Sequence, residues 1–359
     1  MTWSFQLFSV GGTEVRVHVT FFLLLAWFGA VQWLQSGPQA AVWAVVFILI
    51  LFACVVMHEF GHVFAARHYG IRTPTITLLP IGGVASMERM PEKPAQEVVV
   101  ALAGPMVNVV IVLLLLPFVS ASLDPNNLDF LQDPGRNILS RVAMANVVLI
   151  VFNLVPAFPM DGGRVLRALL AMRFGFVRAT RIAATIGQAF AIFLGFIGLF
   201  GNPLLVLIAV FVYMAATAES QFVEMRSLAR GYLARDAMIT RFEKLSPTST
   251  ADDAAALLLR TTQQEFPVLD DSARLKGIVT RDGLIQTLQD RGGDTLVSEF
   301  METGIPSVTG SACLDNVIHT MQEKRAHAVA VADADQRLIG FITPENFAEV
   351  MMVGRARQR

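Results

Sequence analysis

Long apolar runs separated by short polar breaks fill the chain as far as residue 218. Six runs cover residues 17–34, 40–69, 98–119, 142–158, 182–200 and 204–218. Most approach the roughly 20 residues a helix needs to cross a hydrocarbon core, and the fourth and sixth are a little short. The pattern predicts six membrane-spanning helices. Residues 1–18 lack the basic start of a cleavable leader and alternate polar and apolar positions around Gly11-Gly12, which predicts a short hairpin at the membrane surface. Arg67, Arg72, Arg89 and Lys93 fall between the second and third runs, and Arg164, Arg167, Arg173, Arg178 and Arg181 between the fourth and fifth. Between the third and fourth stand Asp124, Asp129 and Asp133, with Arg136 as the one cation. Because basic loops stay inside, both termini are expected in the cytoplasm.

After residue 218 charge rises and the long apolar runs stop. A helical linker over 221–234 leads to a repeat with an offset of 63: Met238 matches Met301, Asp252 Asp315, Val268 Val331, Leu275 Leu338, Gly277 Gly340 and Thr280 Thr343. In the first copy the pattern predicts a helix over 254–260, strands over 266–269 and 276–279, and a helix over 283–288. Such a unit is too small to bury its apolar face alone and is expected to pack on its twin. The expected domains are 1–220 in the membrane, then 235–293 and 294–359. The fold class is an α-helical polytopic membrane protein with six transmembrane helices, followed by an α/β tandem pair.

Composition agrees: 54% of the 359 residues are hydrophobic and 16% charged, and mean hydropathy is +0.55. An ordinary soluble enzyme is excluded. The net charge of −1 and the lack of a basic stripe set nucleic acid aside. Cys54 and Cys313 form neither a disulfide framework nor a Cys-x-x-Cys metal site, and each reads as a small buried hydrophobe.

The chemistry-bearing stretch is His58-Glu59-Phe60-Gly61-His62, where the uncharged run 40–57 ends. Histidines four apart share one helix face about 6 Å apart along the axis, so both can reach one zinc ion while Glu59 faces its water. On a polar helix end this could be chance. In an apolar run a charged residue costs roughly 2.5 to 3.5 kcal/mol at the helix centre, which makes a functional reason the default.

A catalytic zinc usually has three protein ligands. His68 has the metzincin spacing from His62, but those enzymes need a glycine where Ala65 stands. The helix therefore continues and carries His68 about 15 Å along the axis from His58, so with Arg67 it reads as an interfacial residue. The better candidate is Asp161, in the run Asn153-Leu-Val-Pro156-Ala-Phe-Pro159-Met-Asp161-Gly162-Gly163-Arg164. Two prolines and two glycines break a helix there at membrane depth, where irregular backbone must line a cavity or be buried in protein. On its own, Asp161 could instead cap the next helix.

HEFGH at 58–62, AGPMVN at 103–108 and NLVPAFPMDGGR at 153–164 together resemble the site-2 protease family of intramembrane zinc metalloproteases, over residues 17–220. The resemblance implies a three-helix core, one zinc held by His58, His62 and Asp161, and Glu59 as general base. Six spans with a cytoplasmic tail look like the branch of the sporulation pro-sigma-factor protease, which implies a bacterial or archaeal source and a single-span substrate such as an anti-sigma or pro-sigma factor. His18 and the Leu79-Pro80-Ile81-Gly82-Gly83 loop also look like that branch, although His18 could cap a strand and the glycines could form a turn. Asn153 and Asn108 are amides inside apolar helices that could donate to the oxyanion or hold the bundle together. A spanning substrate must unwind before it is cut, and an edge strand over 75–86 is expected to present it. Gly104-Pro105 is expected to let the third helix pack closely and bend near the metal.

The repeat resembles tandem CBS domains through Pro267-Val-Leu-Asp270, Gly277-Ile-Val-Thr280 and Gly340-Phe-Ile-Thr343. The resemblance implies homodimerisation and an adenine nucleotide near Thr280 and Thr343. The chain departs from the family where a ribose-binding acid is usual: Gly283 and Asn346 stand there, and Asp282 is one residue early. Both threonines could simply cap helices. Two other readings are a transporter with a CBS tail and a catalytically silent relative; Glu59 with Asp161 argues against the first, and the intact His58, Glu59, His62 and Asp161 against the second.

Overall fold

Gly11 and Gly12, at φ 57° and 87°, turn the chain between β1 (Ser4–Val10) and β2 (Thr13–His18), an antiparallel hairpin. The computed structural model describes residues 3–80, 82–87, 91, 93–119 and 138–357. Ile81, Arg89, Asp124, Asp129, Asp133 and Arg136 lie outside the described residues. β2 pairs in parallel with β3 (Thr75–Leu79), which pairs antiparallel with β4 (Gly82–Ser86), giving the order β1-β2-β3-β4. The expected strand over 75–86 is therefore a hairpin, and β4 is an edge of the sheet. Alternation buries Val15, Val17, Ile76 and Leu78 against Phe21 of α1 (Val19–Ser36) and Ile48, Phe52 and Val63 of α2 (Pro38–His68). His18 is the N-cap of α1, accepting from the Thr20 amide.

Among the described residues, five helices are long and apolar enough to cross a membrane: α1, α2, α3 (Pro94–Val119), α6 (Phe176–Gly198) and α7 (Pro203–Ala229). The sixth apolar helix, α4 (Ile138–Asn153), is shorter at 16 residues. Their outer faces carry Trp27, Leu114, Phe196 and Leu207 at 60–70% exposure, apolar surface that suits lipid and not water. This is a multi-pass membrane protein. With 31 residues, α2 is about 46 Å long, well beyond a hydrocarbon core of about 30 Å, so it continues past His62.

The arginines expected in a loop before the fifth span lie on helices instead. Arg164 and Arg167 lie on a helix, α5 (Asp161–Phe174), and Arg167 is 1% exposed. Its guanidinium pairs with Glu97 of α3, Nε to Oε1 at 2.7 Å, and with Glu219 of α7 at 2.5 Å, and it faces the rings of Phe158 and Phe176. Three helices are thus joined through one buried cation.

Met1–Gln221 and Phe222–Arg359 form two compact units, and α7 runs through their boundary. In the second unit the first copy contains α8 (Ala234–Ala237), α9 (Ala251–Arg260), β5 (Glu265–Leu269), β6 (Leu275–Thr280) and α10 (Arg281–Asp290). The second contains α11 (Val297–Phe300), β7 (Ser307–Thr309), α12 (Leu314–Glu323), β8 (Val329–Ala332), β9 (Leu338–Ile342) and α13 (Pro344–Arg357). The copies exchange partners with twofold logic: Ile239 bridges Phe341, and Ile278 bridges Glu302, the same pair of positions shifted by the repeat. A methyl on Gly277 would lie 2.9 Å from Met301 Sδ, and one on Gly340 2.8 Å from Met238 Sδ. These two repeat-matched glycines are therefore the points of close approach between the twins. Burial pushes the Asp315 carboxyl up, but Arg226 and Arg230, at 2.9 and 3.4 Å, outweigh it and hold the group below the usual carboxylate range.

Candidate metal centre

α2 presents His58 and His62 one turn apart, both buried, with ring centroids 4.7 Å apart. α3 crosses α2 at glycine. A methyl on Gly61 would meet the Ala103 carbonyl oxygen at 2.6 Å, and one on Gly104 would overlap Nε2 of His62 and lie 2.7 Å from Nε2 of His58. The imidazoles fill the space that a side chain at 104 would take. His62 Nδ1 donates to the Val100 carbonyl at 2.7 Å, which leaves its Nε2 with a lone pair when the ring is neutral. His58 Nδ1 pairs with Asn108 Oδ1 at 2.8 Å, and Asn108 Nδ2 donates to Asn146 Oδ1 at 3.1 Å.

Asp161 arrives from the helix break. α4 ends at Asn153, residues 154–160 are irregular, and α5 starts at Asp161, whose N-cap is Met160. The expected alternative, Asp161 as the cap, does not hold: it is the first helical residue, where the helix amides favour a negative charge. Glycine is required behind it. Methyls on Gly162 would overlap the carbonyl oxygens of Leu154 and Val155, and one on Gly163 would meet Phe158 N at 2.6 Å. This packing turns Asp161 back toward α2, with Oδ2 at 3.2 Å from Nε2 of both histidines.

The donor set fits a metal ion. The three donor atoms lie within 4.8 Å of one another, the two Nε2 atoms are 3.1 Å apart, and buried Asp161 Oδ2 has no hydrogen-bond partner. Lone pairs crowded this way repel unless a cation lies among them, and two nitrogens with a carboxylate oxygen suit zinc.

Glu59 is half-buried beside this cluster, against β4: a methyl on Gly83 would lie 2.7 Å from its Cγ. His68 is exposed at the end of α2, its ring 5.1 Å from that of Tyr69, and takes no part in the cluster. Nor does His18. Asn153 is half-buried at the last position of α4. Asn108 is fully buried, with Oδ1 on His58 Nδ1 and Nδ2 on Asn146 Oδ1, so both ends of its amide are engaged inside the bundle. Asn146 and the Glu97–Arg167–Glu219 cluster do not stand out in the sequence. Asn146 carries the same signal as Asn108, an amide in an apolar helix, whereas Arg167 was hidden among loop arginines. Arg167→Met is expected to leave Glu97 buried and uncompensated and to destabilise the fold by about 3–5 kcal/mol, read as a lower thermal midpoint in detergent.

Residues 46–134 and 131–194 match peptidase family M50, and residues 234–290 and 297–353 each match the CBS domain. The chain is 36% identical to a zinc metalloprotease of Methanocaldococcus jannaschii over 272 residues, 76% of either protein. It is 27% identical to stage IV sporulation protein FB of Bacillus subtilis over 67% of this chain and 78% of that protein. Among solved structures, the site-2 protease from Methanocaldococcus jannaschii is 37% identical over 61% of this chain and 95% of its own, with a TM-score of 0.47. Glu59 and the His58–His62–Asp161 cluster, set among membrane helices, stand within the stretch that matches a peptidase, so the chain belongs to peptidase family M50, the site-2 protease family, as an intramembrane zinc metalloprotease with tandem CBS domains.

Proposed function

We propose that His58, His62 and Asp161 hold one zinc ion and that Glu59 is the general base that cuts a spanning helix of a membrane-anchored regulator. The convergence of two Nε2 atoms on Asp161 Oδ2, beside Glu59, carries this reading. When bound, zinc supplies Lewis acidity, acidifying a water molecule and polarising the scissile carbonyl. Glu59 accepts the proton of the attacking water and returns it to the leaving amine. Asn153, at the helix break, donates to the substrate backbone or the developing oxyanion.

A spanning helix bonds its own backbone and must unwind to be cut. The outer edge of β4, last in the sheet order among the described residues, pairs with the unwound segment by strand addition, and Gly83 brings that strand against Glu59. Gly83→Ala is expected to push Glu59 aside and slow cleavage about 10- to 100-fold with zinc content unchanged, measured on purified protein. The likeness to a sporulation protein supports a single-span regulatory substrate such as an anti-sigma or pro-sigma factor. The basic residues flanking the spans support cytoplasmic termini.

The CBS pair senses an adenine nucleotide and forms a homodimer. Thr280 and Thr343 accept from the amides of Gly283 and Asn346, each at 3.2 Å, so they cap helices and still have a hydroxyl proton to give a ligand. Oδ1 of Asn346 is buried without a partner, an acceptor where the family has an acid. Ile285 of α10 and Met352 and Val353 of α13 are exposed apolar residues that suit a second copy.

The test is cleavage of single-span substrates in liposomes by the full chain, before and after zinc is stripped with a chelator. Activity is expected to vanish and to return with added zinc. Cleavage that survives complete stripping refutes the metal reading.

A further inference from the structure

Asn146 lies outside the His58–His62–Asp161 cluster, and a chain of hydrogen bonds runs from it through Asn108 to His58. Asn146 is fully buried on α4 and uses both ends of its amide: Nδ2 donates to the Val142 carbonyl at 2.8 Å, and Oδ1 accepts from Asn108 Nδ2 at 3.1 Å. Asn108, also fully buried, then has Oδ1 left for His58 Nδ1 at 2.8 Å. A side-chain amide turned about its last bond exchanges oxygen for nitrogen, so two amides in series could run in either direction. A backbone carbonyl has no such choice, since it only accepts.

We infer that Asn146 is a positioning residue for the metal centre, which passes the fixed polarity of the Val142 carbonyl through Asn108 to His58 and holds that imidazole in its Nδ1–H form. The lone pair is then on Nε2, the nitrogen 3.2 Å from Asp161 Oδ2. Were Asn108 reversed, its N–H would face Nδ1, the proton would move to Nε2, and His58 could not ligate from that side. Asn146 blocks the reversal, because Asn108 would then turn its oxygen toward the oxygen of Asn146. His62 needs no relay, as its Nδ1 donates directly to a backbone carbonyl.

The inference rests on His58 as a zinc ligand. It is tested by the zinc dissociation constant of the full chain in detergent, measured by chelator competition. Asn146→Ser keeps a bond to the Val142 carbonyl but is too short to reach Asn108, and is expected to weaken zinc binding about 10- to 100-fold. Asn146→Asp, neutral at this fully buried position, donates its acid proton to the Val142 carbonyl and accepts from Asn108, and is expected to stay within about threefold of the native protein, far short of the loss for an ablated outer-shell partner. Asn108→Ser combined with Asn146→Ser is expected to bind no more weakly than Asn108→Ser alone, since the relay acts only through Asn108. Native affinity in Asn146→Ser, or a further full loss in the double variant, overturns the relay and leaves Asn146 as a link between helices. A native protein that binds no zinc refutes the metal reading itself, and so the two failures are distinct.

Discussion

Glu59→Gln is expected to keep zinc bound and lose cleavage by a factor of about 10² to 10⁴. Glutamine has nearly the same shape and keeps the contact with Gly83, but it has no carboxylate to accept a proton from water. Glu59 lies outside the cluster of His58, His62 and Asp161, so the metal has no reason to leave. The measurement is zinc content beside turnover of a single-span substrate in liposomes. Loss of zinc would make Glu59 a ligand instead, and unchanged turnover would remove it from the mechanism.

Gly104→Ala is expected to empty the metal site by adding one methyl group. Its Cβ would overlap His62 Nε2 and lie 2.7 Å from His58 Nε2, the two nitrogens that face Asp161. Neither ring can retreat cheaply, since each is held at Nδ1 by a bond of 2.7 or 2.8 Å to α3. Zinc affinity should fall by at least about 100-fold, and activity with it. Gly195→Ala is the control: its methyl would meet nothing closer than 3.4 Å on Ala209, an ordinary contact, and zinc should stay. Zinc retained at native affinity by Gly104→Ala would show that the rings do not occupy the place the structure gives them.

Much of this could be read along the chain because it depends on local pattern. Apolar runs near the length of a bilayer core predicted the helices, and the break at Asn153-Leu-Val-Pro156 marked where α4 stops. The spacing of His58 and His62 places two imidazoles on one face of any helix, whatever surrounds it. The repeat offset of 63 paired Gly277 with Gly340, and both proved to be contact points between the twins. Arg167 shows the limit. In a row of arginines between two spans it looked like one more loop charge, and only the approach of Glu97 and Glu219, 70 and 52 residues away in sequence, makes it a buried clamp.

Element types, the change of character near residue 218 and the candidate ligand and base residues were legible along the chain, because periodicity and side-chain chemistry are properties of short stretches. The meeting of Asp161 with both Nε2 atoms, the space Gly104 leaves for them, the approach of Gly83 to Glu59 and the hydrogen-bond chain from Asn146 through Asn108 to His58 came only with the folded bundle. Each of these depends on helices distant in the chain approaching to within one side chain. Such an approach is fixed by packing across the whole bundle, and no short window of sequence records it.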